Sequence, residues 1–364
     1  MEPPRPHRVL GERAARDGVP TGVRTHRPMV VRADYDSGVV APIRAVAVAL
    51  LAASLVAAFP QPARADDSNA ALPTRADVGP MRHIWQSLNN CGPASVVMAL
   101  STFGIEADQE EARLALRGTD VRRGMGPAPV DPWVTRLYDL RSVSRMNGTI
   151  DLMKHFVANG FAPMVTQWMQ DPSVSRIAHW RTVRGYDDDL KVFYVNDPML
   201  GANVPLSYEW FNANWQSFSY RWMVLYRPAD AARVQQLVGP DWTEIGMRER
   251  FYARAKADAY AQDTSAAWLA YGEAAYQDGW FAEAVAAFER GMQLGSATGV
   301  FTVRSSYPQA LRALGRQTDA NAAAASLATI TTTPATVVQS PDGYALFIAF
   351  VRTHENDTVA LTEY

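Results

Sequence analysis

The sequence predicts an α+β fold, with N-terminal helices and an antiparallel sheet, followed by an all-α region. Between about Met81 and Arg227, helical patterns come first, and short segments rich in Val, Tyr, Phe and Trp follow them. From Thr243 onward the chain is rich in alanine, which favours helix. The 364 residues are 48% hydrophobic, which is enough for two domains with real cores.

The first 65 residues predict an export signal instead of a folded element. An apolar run of fifteen residues at 45–59 follows Arg44 and precedes Ala63-Arg64-Ala65, the small-x-small pattern of a signal peptidase site. The run is shorter than the roughly 20 residues that span a bilayer. We expect cleavage after Ala65 and a periplasmic or extracellular protein with no stable membrane insertion. An uncleaved membrane anchor is the alternative.

The α+β domain is predicted over residues 81–228, after a small, polar linker at 66–80. Its helices carry boundary signals, such as an acidic first turn, an early proline or a closing Asn-Gly pair. The predicted helices are Pro93–Phe103, Asp108–Leu116, Asp131–Leu140, Thr149–Ala158 and Pro205–Trp215. The predicted strands are Ala162–Trp168, Ala178–Tyr186, Leu190–Asn196 and Ser219–Tyr226. The aromatic residues of the last helix recur at helical spacing, so we expect them to pack on the sheet.

The helical region is predicted over residues 243–330. Trp268, Gly272, Ala284 and Phe288 lie at the spacing of a helical hairpin with a turn at Asp278-Gly279, and this segment resembles a tetratricopeptide repeat. It departs from that pattern at Gly291, where alanine is usual, and it lacks the closing proline.

Further helices are predicted on both sides of this hairpin, at Arg248–Gln262 and, as a second hairpin, within Leu311–Leu327. Repeats bury their apolar faces only against neighbours, so we expect the array to dock on the first domain or to be capped by its flanking helices. It either binds a protein partner or is an ordinary helical hairpin. Residues 331–364 are predicted as a tail of undefined fold.

The charge balance and the histidines exclude several classes of function. Thirty-five basic and thirty-seven acidic residues leave a net charge of −2, so no global field attracts nucleic acid or anionic lipid. The six histidines have no spacing typical of metal ligands. We therefore expect no nucleic-acid partner, no metal and no cofactor.

Cys91 is the only cysteine, so it has no partner for an intramolecular disulfide. It lies in the segment 86–95, which directly precedes the apolar, helix-forming run Val96–Phe103. Unpaired N–H groups and the helix dipole stabilise a thiolate at the first turn of a helix. Cys91 is therefore a candidate nucleophile, and the alternative is a buried, inert cysteine.

A predicted β-hairpin contains the candidate partners of this thiol. If Tyr186 pairs with Leu190 across the Asp187-Asp188-Asp189 turn, His179 lies opposite Asp197 on the same sheet face. A histidine beside a carboxylate takes the proton of a cysteine and later donates it to a leaving amine. Considered alone, His179 could be an ordinary half-buried strand residue, and Asp197 could be an ordinary turn residue before a proline. The unique cysteine at a helix start favours a triad of all three.

The segments QSLNNCGPASVVMALSTFG, HWRTVRGYD and VNDP, which contain these three residues, resemble the bacteriocin-leader-processing peptidases, family thirty-nine of the papain-like cysteine peptidases. The resemblance covers residues 81–227. It implies a papain-like fold, a peptide or protein substrate, Cys91 as nucleophile, His179 as general base and acid, and Asp197 as the orienting carboxylate.

The resemblance also implies a glutamine upstream of the cysteine as oxyanion donor. Gln86 lies five residues before Cys91, one fewer than is usual, so Asn89, Asn90 or the Cys91 backbone N–H is an alternative donor. No exporter segment or P-loop accompanies the domain, which argues against leader processing. The competing functions are an inactive peptide-binding module and an amidase or acyl transferase acting on cell-wall peptides.

Overall fold

The computed structural model describes residues 71–87, 89–120, 124–169, 178–295 and 302–328. The predicted signal segment and the predicted tail at 331–364 lie outside these residues. No helix in the described part of the chain combines the length and hydrophobicity needed to cross a membrane.

The sequence predicted four helices ahead of the strands, whereas the fourth, Ile150–Ala158, follows the second strand. Three helices lie between the first two strands. Asp108 caps the second of them by accepting hydrogen bonds from the N–H groups of Glu110 and Glu111. The first begins at Cys91, two residues earlier than predicted, which makes the cysteine its first helical residue. The three helices are α1 (Cys91–Ser101), α2 (Gln109–Leu116) and α3 (Val130–Tyr138).

Seven antiparallel strands form one sheet in the order β2-β7-β3-β4-β5-β6, and β1 pairs with the free half of β4. The four predicted strands are present, with ends shifted by a few residues. The strands are β1 (Arg75–Asp77), β2 (Arg141–Arg145), β3 (Met164–Trp168), β4 (Ala178–Asp187), β5 (Val192–Asp197), β6 (Gly201–Ser207) and β7 (Trp222–Tyr226).

The sequence analysis missed β1, β2 and β6, all of which are short or lie at an edge. Residues 75–77 were assigned to a linker, and that assignment is wrong because β1 pairs with β4. β2 and β6 are the two ends of the strand order, so each is half solvated and lacks a continuous apolar pattern. Pro205 belongs to β6, where it pairs with Tyr194, and the helix predicted from Pro205 therefore begins later.

Helices pack on both faces of the sheet. Helices α1, α2 and α3 enclose one cluster together with Met164, Trp180 and Met223. Three others, α4 (Ile150–Ala158), α5 (Tyr208–Gln216) and α6 (Ala231–Val238), contribute to the opposite cluster. Phe211 and Trp215 of α5 are fully buried, which confirms the predicted aromatic packing of this helix. Short 3-10 helices occupy Pro228–Asp230 and Gly239–Trp242.

The hairpin of β4 and β5 differs in register from the predicted one. Tyr186 pairs with Phe193 instead of Leu190, so the predicted register is wrong by three residues at the turn. An extra residue, Arg184, then interrupts the pairing of β4 as a bulge. Beyond the bulge, Thr182 pairs with Asn196, so the predicted register differs from the observed one by only two residues there.

An error of two residues preserves the sheet face, because strand side chains alternate with a period of two. Continuing the observed register places Arg181 opposite Asp197, with His179 two residues away on the same face. The bulge at Arg184 therefore brings the predicted pair together even though the predicted register is wrong.

The helical region follows as five helices: α7 (Glu244–Gln262), α8 (Ser265–Gln277), α9 (Phe281–Leu294), α10 (Val303–Ala313) and α11 (Gln317–Ala328). A Cβ atom on Gly272 would lie only 2.6 Å from the Phe288 ring, and one on Gly291 only 2.8 Å from Leu269. Both glycines thus allow α8 and α9 to approach closely, which explains the glycine at position 291.

The helical region packs directly on the sheet domain, because the cluster under α4 and α5 continues through Met247 and Phe251 into α8 and α9. Arg254 of α7 lies over the Tyr220 ring, 3.8 Å from its centroid, and donates to the Gly148 carbonyl at 2.9 Å. The expected docking of the helices on the first domain is confirmed.

Candidate active site

Cys91 is half-buried at the first position of α1, a helix whose next nine residues are all buried. The hydroxyl of Thr182 on β4 donates to the Ser95 carbonyl of α1 at 3.1 Å and links helix and sheet. The positive end of a rigidly packed helix therefore carries the thiol.

Gln109, at the start of α2, fixes the loop before Cys91. Its Oε1 accepts hydrogen bonds from the Ser87 N–H at 2.7 Å and from Asn90 Nδ2 at 2.8 Å. Its Nε2 donates to the Trp85 carbonyl at 2.9 Å. The sequence analysis missed Gln109, because its role depends on how α2 packs and not on its own segment.

His179 and Asp197 form a buried pair, with 2.8 Å between Nε2 and Oδ1 and no exposure of either side chain. The same Oδ1 accepts hydrogen bonds from the N–H groups of Met199 and Leu200. The Asp197 carboxylate is thus held by the turn that follows β5, and it fixes the orientation of the imidazole.

Arg181 is a buried partner of Asp197 that was not predicted from the sequence. Its Nε donates to Asp197 Oδ2 at 2.9 Å and its Nη1 to Gln167 Oε1 at 2.7 Å. Gln167 pairs with His179 in the β3–β4 ladder and donates to the Phe211 carbonyl at 2.7 Å. Arg181 and Gln167 are fully buried. The feature that could have indicated this role is its position: Arg181 lies two residues after the candidate histidine, in a strand that is buried on both faces.

Electrostatics favour a thiolate facing an imidazolium. Burial raises the pKa of the Cys91 thiol, but the proximity of the His179 ring and the N–H groups of Trp180 and Gly92 outweigh it, so the pKa is lowered. The Nδ1 atom of His179 is buried and makes no hydrogen bond to a described residue. Burial opposes the protonated His179 ring, yet Asp197 and Cys91 raise its pKa. Burial also raises the pKa of Asp197, and the charges of His179 and Arg181 lower it further than burial raises it.

The two predicted oxyanion donors differ in their hydrogen bonding. Asn90 is fully buried, and its Nδ2 already donates to Gln109. Gln86 is 4% exposed, and its backbone N–H donates to the Pro198 carbonyl at 2.9 Å, beside the Asp197 turn. Its Oε1 is buried without a hydrogen-bond partner. The Asn90 Oδ1 is likewise unpartnered, so the two amides differ at the nitrogen: Asn90 Nδ2 donates to Gln109, whereas Gln86 Nε2 donates to no described residue.

Within the described ranges, no cluster of three or more His, Cys, Asp or Glu side chains could hold a metal ion. The site is instead a half-buried thiol beside a buried imidazole–carboxylate pair, within an α+β domain. This combination defines the class of a cysteine peptidase-like hydrolase.

Comparisons with known proteins identify the family of this part of the chain. Residues 75–223 match the family model described as the Peptidase_C39 like family. The family predicted from the segments around Cys91, His179 and Asp197 is confirmed for this region, which is a C39-like cysteine peptidase domain. No curated protein matches the chain.

Three solved structures are similar to this chain. A protein described as a C39-like peptidase, from Bacillus anthracis, is 15% identical with a TM-score of 0.35; the match covers 42% of this chain and 98% of that one. A double-glycine-motif protease of an AMS/PCAT transporter, in complex with the leader peptide, is 21% identical with a TM-score of 0.32. That match covers 43% of this chain and 98% of the other. The peptidase domain of Streptococcus ComA, a bifunctional ABC transporter, is 18% identical with a TM-score of 0.32. That match covers 41% of this chain and 99% of the other.

Proposed function

We propose that this protein is an exported thiol hydrolase that cleaves peptide or related amide bonds through Cys91, His179 and Asp197. The observation that carries the proposal is the thiol at the start of α1 with a lowered pKa, facing an imidazole whose far nitrogen is held by a buried carboxylate. The family match to residues 75–223 supports a peptidase-type reaction.

Acylation begins when the Cys91 thiolate attacks the carbonyl carbon of the scissile bond. The carbonyl oxygen takes the negative charge in a tetrahedral intermediate. Because Nε2 of His179 is hydrogen-bonded to Asp197, Nδ1 is the nitrogen that serves the thiol. Nδ1 gives its proton to the leaving amine, the C–N bond breaks, and a thioester of Cys91 remains.

Deacylation reverses the direction of the proton. His179 Nδ1 accepts a proton from a water molecule as that water attacks the thioester carbon. The C–S bond then breaks, the carboxylic acid product leaves, and the thiolate–imidazolium pair is restored. Asp197 stays ionised throughout and stabilises the imidazolium form.

The oxyanion is assigned to the backbone N–H of Cys91 together with the Gln86 side-chain amide. Gln86 is preferred over Asn90 because the Asn90 amide already donates to Gln109. Loss of one such donor typically lowers the rate by about 10²- to 10³-fold.

The decisive experiment compares wild type with Cys91→Ala on a diverse peptide mixture, with the products identified by mass spectrometry. We expect defined cleavage by wild type and a loss of at least about 10⁴-fold in the variant, because no other nucleophile replaces the thiol. Circular dichroism verifies that both proteins are folded. Equal cleavage by the two proteins would remove the proposed mechanism, and peptide binding without turnover in both would identify an inactive binding module.

Export is proposed from the apolar run at 45–59 and the Ala63-Arg64-Ala65 site. When the full chain is produced in a bacterium, we expect the mature protein outside the cytoplasm with Asp66 as its first residue. Intact-mass spectrometry of the purified protein tests this. An uncleaved N-terminus on a membrane-bound protein would support the anchor instead.

A further inference from the structure

A cavity of about 280 Å³ opens beside Cys91, and the helical region forms part of its wall. This volume equals that of about nine water molecules, which is room for one large side chain. Met125, Trp180 and Phe218 contribute apolar walls, and α8 contributes Glu273 and Gln277. The nucleophile and the helical region therefore line one continuous space.

Glu273 is a charged group of this cavity whose hydrogen bonding is incomplete. The residue is 1% exposed, and its Oε1 accepts a hydrogen bond from Gln277 Nε2 at 2.7 Å. Its Oε2 is buried and has no partner. The hydroxyl oxygen of Thr166, also in the cavity wall, is buried without a partner. A buried acceptor without a donor is costly, so these atoms favour a ligand that brings donors.

Arg221 supplies the opposite charge in the same cavity. Burial lowers the pKa of its guanidinium, and the charge of Glu273 acts against that shift, so the two groups interact across the cavity. No ion pair joins them, and the described residues give the Arg221 guanidinium no hydrogen-bond acceptor. Beside the Thr166 hydroxyl, the cavity thus offers one anionic acceptor and one cationic donor, and their charges cancel.

A carboxamide satisfies both groups at once, because its NH₂ donates and its carbonyl oxygen accepts. A lysine or arginine side chain would meet the repulsion of Arg221, and a carboxylate would meet that of Glu273. An apolar side chain would leave both groups unpaired after displacing water, which typically costs 1–3 kcal/mol for each group.

We propose that this cavity is the subsite for a substrate side chain next to the scissile bond, that it selects glutamine or asparagine, and that Glu273 of the helical region is its specificity-determining residue. The proposal rests on the proposed function for its account of the reaction at Cys91. It makes the helical region a component of the substrate site.

The test measures peptide binding to the Cys91→Ala protein, so its result does not depend on turnover. The probes are hexapeptides in a position-scanning library, with retained peptides identified by mass spectrometry. In the Cys91→Ala background we expect glutamine or asparagine at one position to be retained about tenfold or more over leucine.

Two further substitutions, each made in the Cys91→Ala background, should shift the side-chain preference of the cavity in opposite directions. Glu273→Gln removes the negative charge and shifts the preference to glutamate, which Arg221 then binds. Arg221→Met removes the positive charge and shifts the preference to lysine or arginine, which Glu273 then binds. Glu289→Gln is the matched control, because Glu289 pairs with Arg316 and Tyr307 and does not line the cavity, so its substitution should leave the profile unchanged.

An identical binding profile in all of these proteins, or no selectivity at any position, would overturn the subsite. Turnover by the protein with Cys91 intact is scored separately. If glutamine peptides bind with the predicted shifts and none is cleaved, the proposed hydrolysis fails while the subsite stands. If peptides are cleaved without the predicted shifts, the subsite fails while the hydrolysis stands.

Discussion

Two polar clusters in this molecule contain similar charges in different surroundings. The thiol cluster consists of Cys91, His179, Asp197 and Arg181. The helical cluster consists of Tyr252, Lys256, Tyr271 and Glu283, which join α7, α8 and α9. The side chains of His179, Asp197 and Arg181 are completely buried, whereas those of Lys256 and Glu283 are 41% and 34% exposed.

The helical cluster is fully hydrogen-bonded. Glu283 accepts from Lys256 Nζ at 2.6 Å, from the Tyr252 hydroxyl at 2.6 Å and from the Tyr271 hydroxyl. Burial raises the pKa of Glu283, but these donors outweigh burial and lower it to about 2. Every group has a partner, and the charged groups Lys256 and Glu283 reach solvent, so the cluster holds helices together and has no capacity left for a substrate.

The thiol cluster is buried and incompletely satisfied. Arg181 Nη2 and Gln86 Oε1 are buried without partners, and the thiol faces a cavity. Unit charges 4 Å apart interact with about 4 kcal/mol at an effective dielectric constant of 20, against about 1 kcal/mol in water. Burial, more than the identity of the charged residues, therefore distinguishes the thiol cluster, for which we propose a catalytic role, from the helical cluster.

After the loss of the thiol itself, the largest effect expected within the thiol cluster is that of Asp197→Asn. The carboxamide cannot stabilise the imidazolium, so we expect the rate of peptide cleavage to fall by about 10²- to 10⁴-fold. Initial rates on a peptide that wild type cleaves measure the change. Asp77→Asn is the matched control, because Asp77 pairs with Arg184 at the surface and its loss leaves the rate unchanged. A residual rate above a tenth of wild type in Asp197→Asn would contradict the proposed role of the carboxylate.

A smaller effect is expected on the free energy of unfolding, and it compares the two clusters directly. Arg181→Met removes one partner of a buried pair and should lower the free energy of unfolding by about 3–5 kcal/mol. Glu283→Gln should cost far less, because solvent replaces the lost interaction and the amide oxygen still accepts hydrogen bonds. Urea unfolding of both variants, monitored by circular dichroism, gives the two values. Equal losses would mean that burial does not distinguish the clusters.

The sequence predicted the local features of the site better than its packing. The start of α1, the β4–β5 hairpin and the proximity of His179 and Asp197 follow from helix signals, strand composition and alternation. The bulge at Arg184 did not, because a bulge depends on how a whole sheet twists. The predicted pair met only because the register error and the bulge together preserved the sheet face.

Residues that act across elements were missed for a related reason. Arg181 and Gln167 lie on adjacent strands, and Gln109 reaches the Cys91 loop from α2, so only tertiary packing gives them their roles. Glu273 belongs to a helix more than 180 residues after Cys91, and no local pattern in α8 relates it to a thiol. Strands β1, β2 and β6 lack the alternation of buried strands because they are short or lie at edges.

The pH dependence of Cys91 alkylation by iodoacetamide tests the thiolate–imidazolium pair most directly, since the chain contains no other cysteine. For wild type, the rate should rise with pH through an inflection below 9.0, the usual thiol value, because His179 lowers the pKa of Cys91 more than burial raises it. In His179→Gln the opposing burial remains without the positive charge, so the inflection should move to higher pH than in wild type. Coincident profiles for the two proteins, with an inflection at or above 9.0, would contradict the pairing of Cys91 with His179.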